Sequence, residues 1–216
     1  MLKMKHKLLA ALALAAAQAQ AGSAGQLTVD DASLGGTGPA FWSDDTVYSG
    51  VNPMRSTSGF AGEFAPTGTG SWTSLERISQ SGAIRDQSST FNFTFAFDNA
   101  AHTSGSWTIT NATANKVQID LVLAMHAANG GGSFLFDNQV IDARQTLAGR
   151  WKIDWLNDGG NIPGFSNLVL YGRDQRTILA PAPEPETWAM LATGLLAIGL
   201  TARRRRKDSV AIRPQM

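Results

Sequence analysis

Between its two ends this chain carries two histidines, His102 and His126, no cysteine and no Gly-x-Ser-x-Gly segment. A Ser-His-Asp triad needs an imidazole set between an acid and an activated serine. His126 closes an apolar alternating run and His102 lies in a polar turn, so both read as structural or solvated. Residues 22–183 hold 14 acids. A glycosidase needs two facing carboxylates, but with that many acids some pair always looks suitable. Asp30-Asp31 and Asp44-Asp45 are adjacent, and side chains of neighbours diverge on an extended backbone. Asp154, Asn157, Asp158 and Asn161 place hard oxygen donors in the Gly-containing segment DWLNDGGN. That donor set suits calcium, although the spacing is neither an EF-hand nor a nonapeptide repeat. Turn formation by Asn, Asp and Gly is the competing reading. For sugar binding the relevant residues are aromatic. Trp107, Trp151 and Trp155 alternate with polar residues and belong to a core, whereas Trp42 and Trp72 sit in Gly/Ser-rich settings where a ring stays exposed. The residues thus point away from an enzyme and imply no resident cofactor, with calcium the one ion the sequence could serve.

The elements that would position these groups read as strands. In FNFTFAF, Phe91, Phe93, Phe95 and Phe97 take every second position, so one face of a strand carries four rings. Covering each ring is worth roughly 2–3 kcal/mol, and a second sheet supplies the cover. SWTIT and KVQIDLVLAM continue the alternation, and Val122 and Ala124 make the second side of the latter apolar as well. SFLFDNQVI reads as a hairpin turning at Asp137-Asn138, after a break at Asn129–Gly132. RWKIDW and SNLVLYG complete the series. QLTVD could open it, with short strands near Tyr48 and Phe60 in an otherwise loop-like stretch. No helical period of ten residues occurs inside the body. The expected fold class is all-β, an antiparallel β-sandwich or jelly-roll-like body, flanked by an N-terminal signal helix and a C-terminal single transmembrane helix.

Both ends read as address labels. MLKMKHK is followed by the apolar run Leu8–Ala17 and by small residues at alternate positions, the pattern of a secretory signal. Ala19 and Ala21 set cleavage after Ala21, with Ala24 as the alternative. At the other end, Pro181, Pro183 and Pro185 impose an extended approach. Trp188–Ala202 then gives 15 uncharged residues, carrying Leu191, Leu195, Leu196, Ile198 and Leu200. That is short of the ~20 that cross a bilayer easily, although Thr187 and snorkelling arginine stems lengthen it. Arg203, Arg204, Arg205, Arg206 and Lys207 follow as a basic stop, which puts the body outside and the tail inside. With both ends removed, residues 22–183 carry nine basic and 14 acidic residues, a net charge of −5. That balance argues against a nucleic-acid partner.

Pro183-Glu184-Pro185, Trp188 three residues on, a short Gly/Ala/Leu span and an arginine cluster near the chain end together resemble the PEP-CTERM sorting signal. The resemblance covers about 25 residues and departs at Glu186 and in the residues after Lys207. It implies retention in the inner membrane of Gram-negative bacteria and processing near Pro-Glu-Pro by an exosortase, a membrane-embedded cysteine transpeptidase. The family occurs in bacteria that make exopolysaccharide and biofilm. Gly105–Tyr171, with its Gly-Ser-Trp strand, WKIDW and PGFSNLVLY, is similar to the body of many such proteins, to which no activity is assigned.

The expected organisation is a signal peptide at 1–21, a β-sandwich at 22–180, the sorting signal at 181–207 and a cytoplasmic tail at 208–216. The expected role is a non-catalytic exported surface or extracellular-matrix protein. Its partners would be the export machinery, signal peptidase, exosortase, the inner membrane and exopolysaccharide. The alternatives are a secreted carbohydrate-binding module, an extracellular hydrolase and a permanently anchored, unprocessed protein.

Overall fold

The computed structural model describes residues 25–35, 42–86, 88–179 and 185–210. The chain divides into two compact units that meet in sequence at Ile178 and Leu179. The first holds nine strands: β1 (Asp45–Ser49), β2 (Thr73–Ile78), β3 (Ile84–Asp86), β4 (Phe91–Phe97), β5 (Ser104–Asn111), β6 (Lys116–Ala127), β7 (Gly130–Ile141), β8 (Thr146–Lys152) and β9 (Phe165–Ile178). They form a six-stranded sheet in the order β1-β7-β6-β9-β2-β3 and a three-stranded sheet in the order β4-β5-β8. Every named pair is antiparallel. The expected all-β sandwich is present, divided unequally into six strands and three, unlike an eight-stranded jelly roll.

The alternation decides which faces meet. Phe91 and Phe93 from β4, Trp107 and Ile109 from β5 and Trp151 from β8 turn inward. They meet Leu121, Leu123 and Met125 of β6, Phe134 and Phe136 of β7, and Leu168 and Leu170 of β9. Trp107 lies 5.6 Å from Phe93 in its own sheet and 5.8 Å from Phe136 in the opposite one. A second ring group joins Phe95, Trp151 and Phe165, with Phe95 stacked on Trp151 at 5.1 Å. The Trp107 Nε1–H donates to the Ser33 carbonyl at 3.1 Å, so its one polar atom is satisfied inside the core. Ser33 belongs to a segment along the edge of β8, where Ser33 N and Gly35 N donate to the Arg150 and Ala148 carbonyls at 2.9 and 2.8 Å. That segment covers an otherwise open edge.

Several local expectations give way. Asp137-Asn138 is no hairpin turn, because β7 runs through it as one strand. Pairing passes from Ile119↔Gln139 to Leu121↔Phe136, which leaves an extra residue on β7. Asn138, at φ 51°, takes the left-handed conformation there, and its N–H donates to Asp120 Oδ1 at 3.0 Å. The Asn chemistry that suits a turn thus builds a β-bulge. The actual turn is Ala128-Asn129, and Gly130–Gly132 open β7 instead of breaking the chain. The end of the Tyr48 ring lies where a Cβ at Gly130 would fall, so a larger residue there would displace the tyrosine. QLTVD gives no strand: Val29–Asp31 is a 3-10 turn, because Asp31 Oδ2 accepts the Thr28 N–H at 2.8 Å. A strand does form at Tyr48, as β1, and none forms at Phe60.

Phe60 has a different task. Val122, Ala124, Leu135, Val169 and Tyr171 make the outer face of the large sheet apolar, and Phe60 and Phe64 cap it in a second core. The Phe60 centroid is 5.3 Å from Tyr171, 5.7 Å from Trp72 and 5.9 Å from Phe64. The Tyr171 hydroxyl donates to the Pro53 carbonyl. The Gly/Ser-rich stretch from 51 to 72 is therefore a cover held by buried rings. Phe60→Ala should cost about 3 kcal/mol in a urea melt and expose 51–72 to limited proteolysis while the β-sheet circular dichroism persists; an unchanged cleavage pattern would contradict this role.

The second unit holds α1 (Pro185–Val210), 26 residues opened by proline at its first position. Trp188, Leu191, Leu195, Leu196, Ile198 and Leu200 are all exposed. Its uncharged run, Thr187–Ala202, is 16 residues, about 24 Å of helix against a hydrocarbon layer of ~30 Å. Among the described residues no helix is long and apolar enough to cross a membrane.

Candidate functional site

One cluster of polar side chains lies on the outer face of the six-stranded sheet, beside the cover. At one end of that face β6 contributes Asp120 and β9 contributes Arg173, both buried. Arg173 Nε donates to Asp120 Oδ2 at 3.1 Å, and its Nη2 donates to Thr67 Oγ1. The guanidinium carbon sits 4.2 Å from the Trp72 ring centroid. Burial pushes the Asp120 carboxyl above its ordinary range, against the pull of the Asn138 N–H and of Arg173. The pair is thus enclosed by a bulge, a threonine and an indole face, which is what an ion pair out of water requires.

A polar groove of about 460 Å³ opens next to it, lined among others by Gln118, Asn138, Asp174 and Arg176. Its side chains are already linked. Arg176 Nη2 donates to Gln118 Oε1 at 2.7 Å, Gln118 Nε2 donates to Asn138 Oδ1, and Thr69 N donates to Asp174 Oδ2 at 3.0 Å. At the other end of the outer face a cavity of about 350 Å³ is lined by Met54, Arg77, Ser79, Ala83 and Arg85.

The residues expected to bind ligands fall in separate places. Trp42 is 36% exposed and bridged to Ser33. Trp72 is half-buried, with Phe60 against its edge and Arg173 over its face. This corrects the expectation of an exposed ring at Trp72, since the Gly/Ser-rich stretch around it packs as a cover. Trp107, Trp151 and Trp155 are in the core. In DWLNDGGN one side-chain oxygen each of Asp154, Asn157 and Asp158 is engaged in a protein contact, and Asn161 is engaged through its nitrogens. Asn157 Oδ1 accepts the N–H groups of Gly159 and Asn161, both at 3.0 Å, and Asn161 Nδ2 donates to the Gly159 carbonyl at 3.0 Å. Asp158 accepts from Asn129 Nδ2, and Asp154 pairs with Lys152 at 2.9 Å. Among the described residues no group of three or more His, Cys, Asp or Glu could hold a metal ion. His126 is half-buried on β6, its buried Nδ1 has no hydrogen-bond partner among the described residues, and burial lowers its pKa. His102 stacks on Phe97 at 3.8 Å.

Pro185 opens α1, and Arg203–Lys207 lie within it. Ala19, Ala21, Pro183 and Glu184 lie outside the described residues. The pairing of Arg77 with Arg85 and the Asp120–Arg173 pair had no signal in the sequence, because each joins residues that only strand register brings together. Comparison of the chain with protein-family models, curated proteins and solved structures finds no match.

The cation at Lys152 links two distant segments, reaching Asp31 at 3.0 Å as well as Asp154. Burial raises the Asp31 carboxyl, and the contacts to Thr28 and Lys152 only partly offset it. Burial lowers Lys152, but its bonds to Asp154 and Asp31 outweigh that and raise it on balance. A carboxyl raised on folding binds its proton more tightly in the folded state, so stability falls as pH rises through the window above about pH 4. Chemical denaturation from pH 4 to 7 should show the wild type losing stability relative to Asp31→Asn as pH increases; a difference that grows the other way would refute the assignment.

Proposed function

We propose that this protein is a non-catalytic exported surface or extracellular-matrix protein, sorted through its C-terminal tail and processed near Pro183–Pro185. One observation carries the reading. A β body ends at Ile178, and a separate unit follows in which a helix starts at Pro185, exposes Trp188, Met190, Leu191, Leu195, Leu196, Ile198 and Leu200 and runs into an arginine cluster. A helix that is apolar all round suits lipid better than water. The tail is short for a span, and arginine stems reaching toward the headgroups together with local bilayer thinning make up the difference. In this reading the N-terminal segment is removed after Ala21, an exosortase acts at Pro-Glu-Pro, and the body joins exopolysaccharide material outside the cell. Intact-mass measurement of the extracellular form tests it. The expected species begins after Ala21 and ends near Pro183–Pro185. A full-length mass, or a protein confined to the cytosol, would overturn it.

Carbohydrate binding is the second reading, favoured by the exposure of the Trp42 ring. A glycan-array signal lost in Trp42→Ala would support it, and a signal that survives that change would remove Trp42 as the platform.

A further inference from the structure

The cavity formed by β2, β3 and the cover has an unusual wall. Arg77 and Arg85 are direct cross-strand partners in the β2–β3 pair. Side chains so placed share one face, with Cβ atoms about 4.5–5.5 Å apart, and like charges there destabilise a sheet. Among the described residues neither arginine forms an ion pair, whereas Lys116, Arg150, Lys152 and Arg173 each pair with an acid. Arg77 Nε donates to Ser74 Oγ at 3.3 Å, which positions the guanidinium and leaves its terminal nitrogens for another partner. The rest of the cavity wall is uncharged: the Ser79 hydroxyl, Ala83, and Met54, whose N–H is held by Asn52 Oδ1 at 2.9 Å. Beyond it, Val169 is the β9 partner of Arg77, and Tyr171 is bonded to Pro53. The body as a whole is acidic, so a paired positive site on it is set against the prevailing charge.

We propose that this cavity is an oxyanion-binding site, in which the Arg77 and Arg85 guanidiniums hold a carboxylate or phosphate group between them with Ser79 as a further donor. Two planar forks on one wall match the two or three oxygens of such a group with charge-assisted hydrogen bonds. The bound charge removes the repulsion that the empty pair sustains. A cavity of about 350 Å³ takes one sugar acid residue or a phosphate, at the small end of ligand sites. The site stands on this geometry alone; only the choice of an acidic polysaccharide as one source of the anion rests on the matrix role proposed above.

Isothermal titration of the purified full-length chain tests it with three probes: oligogalacturonate, inorganic phosphate and a neutral gluco-oligosaccharide of equal length. Oligogalacturonate heat without phosphate heat assigns the site to an acidic saccharide. Phosphate heat alone assigns it to a free oxyanion. Either signal should weaken about tenfold or more in Arg85→Gln and in Arg77→Gln, weaken with added salt, and persist in Arg144→Gln. Arg85 is exposed on an edge strand, so Arg85→Gln decides the matter if Arg77→Gln fails to fold. Binding of the neutral probe alone, no heat from either anion, or anion binding unchanged by Arg85→Gln would overturn the proposal.

Discussion

Everything in the body hangs on the layer of rings between a broad sheet and a narrow one. A three-stranded sheet with a row of rings on one face is stable in water only when that face is covered. β4, β5 and β8 persist because Phe91, Phe93, Trp107 and Trp151 are covered by β6, β7 and β9. Each such ring contributes roughly 2–3 kcal/mol, and their tilted and stacked contacts add specificity of fit. The core in turn fixes register. A slip of one residue on β4 would carry its phenylalanines to the solvent side. Strand register then decides what the outer faces carry, including which charged residues become neighbours.

The inner face was legible in advance because its signal has period two and large side chains. FNFTFAF, SWTIT and KVQIDLVLAM became β4, β5 and β6, with the alternating residues inside. Other features hid behind local chemistry that serves two structures. Asn138 suits a turn and a bulge equally, and only the partner strand decides between them. Gly130–Gly132 look like a break, yet glycine also lets Tyr48 lie against a strand. β2 and β3 escaped notice because Thr73–Ile78 carries Glu76 and Arg77 in mid-strand and the hairpin is short. The cover at 51–72 resembled a loop because it is one, lacking periodicity, while its few aromatic residues provide the attachment.

The candidate sites were less legible than the fold, for a related reason. Asp120 and Arg173 are 53 residues apart, and Arg77 and Arg85 are separated by a turn. Charge composition gave the sign of the body and hid both pairs. Trp72 shows the converse. Its neighbours in sequence are small and polar, but its neighbours in space are Phe60 and Arg173. The tail is the opposite case, since its order of proline, apolar run and arginines is a linear pattern that needs no tertiary contact to be read.

The second core makes the six-stranded sheet a middle layer, with β6 and β9 shielded on both sides near Val122 and Val169. Backbone amides there have no solvent route unless the cover lifts or the sandwich parts. The body thus contains two openings of different cost, a cheap one that releases the cover and a dear one that melts the sheets. Amide deuterium uptake would rank these layers in time, and the cover would breathe long before the strands beneath it let go.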